Sequence, residues 1–378
     1  MLFPHISQNI YLNHAAVSPW PQKTCDAVAD FAQQNSNYGA QFYPSWLTME
    51  TKLRRQLAQL INAPSAHDIA LVKNTSEALS IVAYGLTWND GDNIVSSNQE
   101  FPSNRIVWES LVQFGVTLRQ ADLSSAATPE DALFDQVDQR TRVITISSTQ
   151  YASGLSVDLV RIGKFCQDHN IIFCIDAIQS LGAMQFDAQA VNADFVMADG
   201  HKWMLGPEGL ALFYSTPKAR DQLKLNQYGW HMTNSPGDYD KKQWAIAKSA
   251  RRFECGSPNM LAIHALSASL EVLLDNGLAT VEQAINNNSE YLFKLIAERH
   301  YLKLLTDASP HRYAGIVTFQ LINGDNAALQ QWLMANKVIC ANRGGGIRFS
   351  PHFYTPQHQL DEAMKLVDQY AIAHKLIS

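Results

Sequence analysis

The chain lacks most of the features that would take it outside the ordinary folded class. Its five cysteines, Cys25, Cys166, Cys174, Cys255 and Cys340, are odd in number and widely spread, with no CxxC pair and no histidine at ligand spacing beside them. That speaks against a disulfide framework and against a zinc site. No apolar run approaches the roughly 18 residues of a membrane span. The opening MLFPHISQNIYLNHAA has neither a basic start nor a long apolar stretch, so the expected location is the cytoplasm, with no membrane partner. Lys and Arg form no block, and 29 of them face 35 Asp and Glu for a net charge of -6, which leaves no electrostatic footprint for nucleic acid. There is no Pro/Ser/Gly-rich linker and no solenoid repeat. No GxGxxG follows an apolar run and no GxxxxGK occurs, so the nucleotide-binding signatures are missing too.

What remains is 378 residues with 46% hydrophobic and 17% charged side chains, a globular composition long enough for two domains. From about residue 68 to residue 215, short apolar runs alternate with amphipathic stretches of helical length, the rhythm of an α/β fold. The runs are 69–72, 93–96, 143–146, 171–175, 195–198 and 210–214. Their Ile, Val and Phe content without polar alternation suits central strands covered on both faces. Between them, 76–86, 104–114 and 158–169 carry apolar residues at helical spacing, as crossover helices do. After Pro258 the pattern changes to helices at 261–274 and 281–300, strands at 314–321 and 347–350, and a helix at 357–374. The reading is a large αβα domain over 20–258 with a mostly parallel sheet, and a smaller α+β domain formed by 1–19 and 259–378.

The chemistry concentrates in IIFCIDAIQSLGAMQFD and ADFVMADGHKWMLGPEGLALFYS. Asp176 closes an apolar run, which places it at the C-terminal edge of a parallel strand, where open α/β sheets bind ligands. Lys202 follows a second run by a few residues, ahead of the turn-forming Gly206 and Pro207. A lysine amine and a carboxylate converging on one sheet edge are what pyridoxal phosphate needs: the first forms a Schiff base, the second keeps the ring nitrogen protonated. Separately, each has a plainer explanation as a solvated charge or a helix cap. Gln179 is spaced to hydrogen-bond a ring hydroxyl, and His201 to donate to a phosphate. In KNTSEAL, Thr75 and Ser76 open a helix whose N-terminus suits an anion, though the same residues make a capping sequence with no ligand. Phe101, in NQEFPSN, is suited to lie on a cofactor ring or to fill a core. Gln150 and Tyr151 follow a strand, either within reach of the sheet edge or simply ending the strand.

Seven segments in order resemble the class V aminotransferase family of fold type I pyridoxal-phosphate enzymes, which includes cysteine desulfurases, kynureninases and isopenicillin N epimerase-like proteins. They are YLNHAAVSPWP, NTSEAL, EFPSN, DAIQ, GHKW, RRFECGSPN and GGGIRFSPHFYTPQHQLDEA, and they span nearly the whole chain. The resemblance implies Lys202 as the Schiff-base lysine, Asp176 on the pyridine nitrogen, Gln179 on the ring oxygen and Phe101 over the ring face. It also implies that Thr75, Ser76 and His201 hold the phosphate, while Gln150 is a further cofactor-binding candidate from its place after a strand. It further implies a homodimer in which Ser257 reaches the phosphate site of the neighbouring subunit, and Arg348 as the group that receives a substrate carboxylate. A guanidinium suits that task because it grips a carboxylate with two parallel hydrogen bonds. Without the resemblance, Arg348 reads as a solvated strand-end charge. His14 is a further substrate-binding candidate, and Tyr43, Tyr228, Trp230 and His231 are pocket candidates from their aromatic and histidine clustering.

Two departures stand out. Many relatives have Ser three residues before the lysine, where this chain has Asp199, an anion expected to turn away from a phosphate or to pair with a cation. Cysteine desulfurases carry a catalytic cysteine in a loop after an arginine resembling Arg343, whereas here ANRGGGIRFS runs directly to Arg348, and the nearest thiol is Cys340 in the apolar run KVIC. The expected activity is therefore a pyridoxal-phosphate enzyme acting on a small amino acid, foremost an aminotransferase. A carbon–sulfur lyase, a cysteine desulfurase or an amino-acid epimerase is the alternative, and a non-catalytic binding protein the remote one.

Overall fold

The computed structural model describes residues 2–377. A short strand, β1 (Ile10–Tyr11), precedes two long helices, α1 (Gln22–Tyr38) and α2 (Tyr43–Leu60). Alternating elements follow: β2 (Ile69–Val72), α3 (Thr75–Gly85), β3 (Asn93–Ser97), α4 (Ser103–Glu109), β4 (Thr117–Ala121), α5 (Pro129–Phe134), β5 (Thr141–Ser147), α6 (Leu159–His169), β6 (Ile172–Asp176), β7 (Phe195–Asp199), β8 (Ala211–Ser215) and α7 (Pro217–Arg220). The rest of the chain adds α8 (Met260–Asn276), α9 (Leu278–Ala297), β9 (Leu302–Leu304), β10 (Val317–Leu321), α10 (Asn326–Ala335), β11 (Val338–Ile339), β12 (Ala341–Arg343), β13 (Gly346–Phe349) and α11 (Gln357–Ala373).

Seven strands form one sheet in the order β2-β8-β7-β6-β5-β3-β4. Only β8 runs against its neighbours β2 and β7, and every other pairing is parallel. Alternation along each strand supplies two buried faces. Phe173, Ile175, Val196 and Leu212 pack under Leu53, Leu57, Leu60, Ile263, Leu266 and Leu270 of α2 and α8. Cys174, Phe195, Met197 and Phe213 meet Ala78, Leu79 and Val82 of α3 and Trp108 of α4 on the other side. At about 1.5–3 kcal/mol for each large side chain buried, this three-layer packing is the main stabiliser of the sheet. A second core lies between the antiparallel sheet β12-β13-β10-β9 and helices α9, α10 and α11, and Ile10 and Leu12 join it as β1 pairs with β11.

All six apolar runs lie on strands of the large sheet. The sheet's seventh strand, β4, was not read from the sequence, because TLRQA at a sheet edge is mostly exposed or half-exposed and carries no apolar pattern. The helix expected over 104–114 ends at Glu109 and continues as a 3-10 turn to Phe114. The strand expected from residue 314 begins at Val317.

Candidate active site

Parallel strands present their C-terminal ends on one edge of the sheet, and there Asp176 ends β6 and Asp199 ends β7. Lys202 lies three residues past β7 in a tight turn. Leu205 N–H donates to the Lys202 carbonyl at 2.9 Å and Gly206 N–H to the Gly200 carbonyl at 2.8 Å. Leu205 adopts φ 60, a left-handed conformation that burial of its side chain offsets. A Cβ on Gly182, itself at φ +95, would stand 2.3 Å from the Trp203 carbonyl, so only glycine lets the DAIQSLG loop back onto the lysine turn. Trp203 is fully buried and its Nε1 donates to Gln179 Oε1 at 3.0 Å.

Lys202 is 8% exposed, with its Nζ 5.5 Å from the Phe101 ring centroid. Among the described residues its Nζ has no hydrogen-bond or ion-pair partner. Burial drives its pKa below the ordinary lysine range; nearby Asp176 opposes the shift and Arg348 adds to it. Asp176 is 2% exposed, and its carboxylate accepts one hydrogen bond, from Ile178 N–H at 3.0 Å. Burial raises its pKa and the Glu100 carboxylate adds to the rise, against the pull of Lys202. Arg348 sits in β13, also 2% exposed. Its Nη1 donates to the Tyr151 carbonyl at 2.7 Å, while its Nε is buried without an acceptor. Burial, then Arg343, lower its pKa to about 10. A guanidinium held by Nη1 keeps its Nε and Nη2 edge for a carboxylate.

The remaining candidates fall in three groups. Phe101 is 42% exposed and meets Tyr151 edge-on at 5.2 Å. Thr75 Oγ1 is buried and unpartnered at the start of α3, Ser76 Oγ donates to Ser103 Oγ at 2.9 Å, and Asn74 caps the helix by accepting from Glu77 N–H. His201 Nδ1 lies 3.1 Å from Asp199 Oδ1, so Asp199 does pair with a potential cation, although the two are not aligned as a hydrogen bond. Gln179 spends its amide on two protein contacts, donating to the Ala15 carbonyl at 3.1 Å and accepting from Trp203, which leaves one N–H. Ser257 is exposed in the loop before α8. His14 has no free nitrogen: Nδ1 is 2.8 Å from the Ser350 carbonyl and Nε2 is 2.5 Å from the Tyr354 hydroxyl. Tyr43, Trp230 and His231 gather elsewhere, around a cavity of about 420 Å³ whose lining does not include Lys202. Tyr228 lines an adjoining pocket with Trp230.

The sequence reading missed Glu100. It is buried and accepts from Ser97 Oγ, Asn104 Nδ2, Ser147 N and Oγ, and Gln150 Nε2. Gln150 is thus held by its amide nitrogen, and its Oε1 is left buried without a donor. The available signal was a Glu three residues past a strand, with Ser97 and Asn104 three and four residues away, at capping-like spacing. Also missed was the grip on the loop after β5: Arg348, Thr318 and Thr306 donate in turn to the carbonyls of Tyr151, Ala152 and Ser153.

A model of the aminotransferase class-V family matches residues 10–362. The chain belongs to that family. Among its relatives is a probable cysteine desulfurase of Methanothermobacter thermautotrophicus, 28% identical over 97% of this chain and 96% of that protein. Another is an uncharacterized aminotransferase, YcbU, of Bacillus subtilis, 25% identical over 96% of this chain and 95% of that one. The class-V fold is also that of the cystine C–S lyase C-DES. A C-DES mutant with glycine covalently linked to its pyridoxal-phosphate cofactor superposes with a TM-score of 0.90 at 21% identity, covering 97% of this chain and 98% of that one. The complex of C-DES with its product cysteine persulfide gives 0.89 at 22% identity, covering 97% and 99%.

Proposed function

We propose that this class-V chain is a pyridoxal-phosphate enzyme that breaks the carbon–sulfur bond of a cysteine-type amino acid by β-elimination. One observation carries the reading: Lys202 and Asp176 at the edge of the large sheet, and Arg348 facing them from β13 of the smaller sheet, are buried charges left short of partners, with an exposed aromatic ring above the lysine. The relatives' names favour carbon–sulfur chemistry over the amino transfer expected from the sequence.

The donor set fits the cofactor. Asp176 keeps an acceptor for a ring nitrogen, Gln179 keeps an N–H for the ring oxygen, and Phe101 offers a face. Gln150 stands beside the ring site, held by Glu100. Thr75 Oγ1 lacks a partner at the helix start where a phosphate would sit, and Ser76 and His201 would complete that end of the site. The cofactor, when bound, supplies an electron sink that acidifies the substrate Cα–H. Arg348 holds the substrate carboxylate on its Nε and Nη2 edge, which turns the Cα–H toward Lys202. Because burial favours the neutral amine, Lys202 Nζ accepts the Cα proton. The Cβ–S bond then breaks with its electron pair leaving on sulfur, as hydrosulfide from cysteine or as a persulfide from cystine. The three-carbon remainder hydrolyses to pyruvate and ammonium.

A relay through a persulfide on any of the three buried cysteines has little support. Cys340 is buried and its thiol pushed up to about 12, and Cys166 and Cys174 are buried and raised further. The assembly belonging to this reading is a homodimer, with Ser257 of each chain serving the neighbour's phosphate site. The test is product analysis with L-cysteine and L-cystine. Pyruvate and ammonium in equal amounts with released sulfur agree with the reading. Alanine with a protein-bound persulfide would make the enzyme a desulfurase, and amino transfer to a keto acid without sulfur release would make it an aminotransferase; either overturns it.

A further inference from the structure

The N-terminal stretch from Leu12 to Trp20 lies between the two groups that matter most. On one side it binds the end of β13, two residues past Arg348. Ser350 N–H donates to the Leu12 carbonyl at 2.8 Å, Ala15 N–H to Ser350 Oγ at 3.0 Å, and His14 Nδ1 to the Ser350 carbonyl. On the other side it binds the lysine turn. Ser18 N–H donates to the His201 carbonyl at 2.8 Å, Trp20 Nε1 to the Gly206 carbonyl at 3.1 Å, and the Ala15 carbonyl receives Gln179, whose other end holds Trp203. His14 is the hinge of this strap. It is fully buried, both its nitrogens are used, and Tyr354 locks it from behind.

The donor pattern fixes its tautomer: Nδ1 faces a carbonyl and carries the proton, so Nε2 accepts from the Tyr354 hydroxyl. Burial, with His352 nearby, holds the ring neutral by keeping its pKa well below the ordinary histidine value. A neutral ring with both nitrogens engaged has no free nitrogen with which to hydrogen-bond a substrate.

We propose that His14 is a positioning residue that sets the spacing between Arg348 and Lys202, through Ser350 on one side and Ala15, Gln179 and Trp203 on the other. The inference rests on the reading of Arg348 as the carboxylate grip and Lys202 as the cofactor anchor. It differs from a general packing role in one respect: loss of the imidazole should harm carboxylate recognition selectively.

Two probes separate these roles on the holoenzyme. 3-Mercaptopropionate has the carboxylate without the amine, and cysteamine has the amine without the carboxylate. His14→Ala is expected to weaken 3-mercaptopropionate binding roughly tenfold, the effect of one lost buried hydrogen bond, and to leave cysteamine within about twofold. His14→Asn, whose amide nitrogen stands where Nδ1 stood, is expected to restore acid binding. His14→Gln, whose nitrogen falls nearer the Nε2 position, is not. Should His14→Ala fail to fold, the Asn and Gln pair makes the same comparison. Equal weakening of both probes, or equal behaviour of Asn and Gln, overturns the proposal, as does wild-type enzyme that binds no acid. Wild-type enzyme that binds the acid yet makes no pyruvate contradicts the lyase reading instead, and the His14 variants are still decided by their acid binding.

Discussion

Two sets of buried charge in this protein are built on opposite terms. In the first, Arg54 of α2 donates through Nη1 and Nη2 to both oxygens of Glu254, at 2.5 and 2.6 Å, reaches Glu50 as well, and gives a further bond to the Ile69 carbonyl. Leu71 N–H completes Glu254. Glu50, His231 and Glu254 bring ligand atoms within 4.8 Å of one another, but the guanidinium already occupies the space between the carboxylates. In the second set, the Lys202 amine has no partner among the described residues, the Asp176 carboxylate has one donor, and Arg348 keeps an unpaired Nε. Burying a charge is costly unless it is matched. The first set is matched, which suits a structural role. The second leaves bonds open around Lys202, where the large sheet's edge meets β13, and those open bonds are what a cofactor and a carboxylate substrate would fill.

Removing Lys202 should show the largest effect. Lys202→Ala is expected to abolish covalent cofactor binding and turnover while leaving the fold intact, checked by the visible Schiff-base band beside circular dichroism. Arg54→Met attacks the matched set, leaving two buried carboxylates without their cation. It should lower stability by roughly 3–5 kcal/mol in urea unfolding, while the protein that remains folded still takes up cofactor. A variant of normal stability would remove the contrast.

Arg348→Ala is expected to raise the KM for cysteine roughly 10- to 100-fold, the loss of charge-assisted hydrogen bonds to the carboxylate. The same variant also tests the electrostatics. The neutral amine of Lys202 reacts with pyridoxal phosphate, so uptake by apoenzyme should rise with pH, and burial puts that rise below the usual lysine range of about 10.4. Deleting the Arg348 cation removes a group that disfavours the ammonium, so the midpoint should move to higher pH. Asp176→Asn removes a group that favours it, so the midpoint should move lower. Shifts of the opposite sign would mean that these charges do not act on Lys202. Cys340→Ser should do least, leaving product identity unchanged and the rate within about twofold, because a buried, inert thiol takes no part.

The sheet was legible because its central strands are covered on both faces and so read as unbroken apolar runs, while β4 escaped because an edge strand such as TLRQA has no such constraint. The lysine and the aspartate were legible for a related reason. Each ends or closely follows an apolar run, and a charge in that setting stands out. Glu100 and His14 were harder. Glu100 is defined by donors from β5, α4 and the loop carrying Gln150, which only the fold brings together. His14 was visible as a histidine in a family-like segment, but its partners, Ser350 and Tyr354, lie more than 330 positions away. Sequence spacing carries no information about bonds of that kind, so a satisfied histidine and a substrate ligand look alike until the chain is folded.

The central claim is that the partner-poor set around Lys202 is the catalytic centre. The most direct test is to load the protein with pyridoxal phosphate, reduce it with borohydride and map the modified peptide by mass spectrometry. The account predicts a single pyridoxyl group on Lys202, lost in Lys202→Ala and still present in Arg54→Met. Label on another lysine, or none on this one, would contradict it.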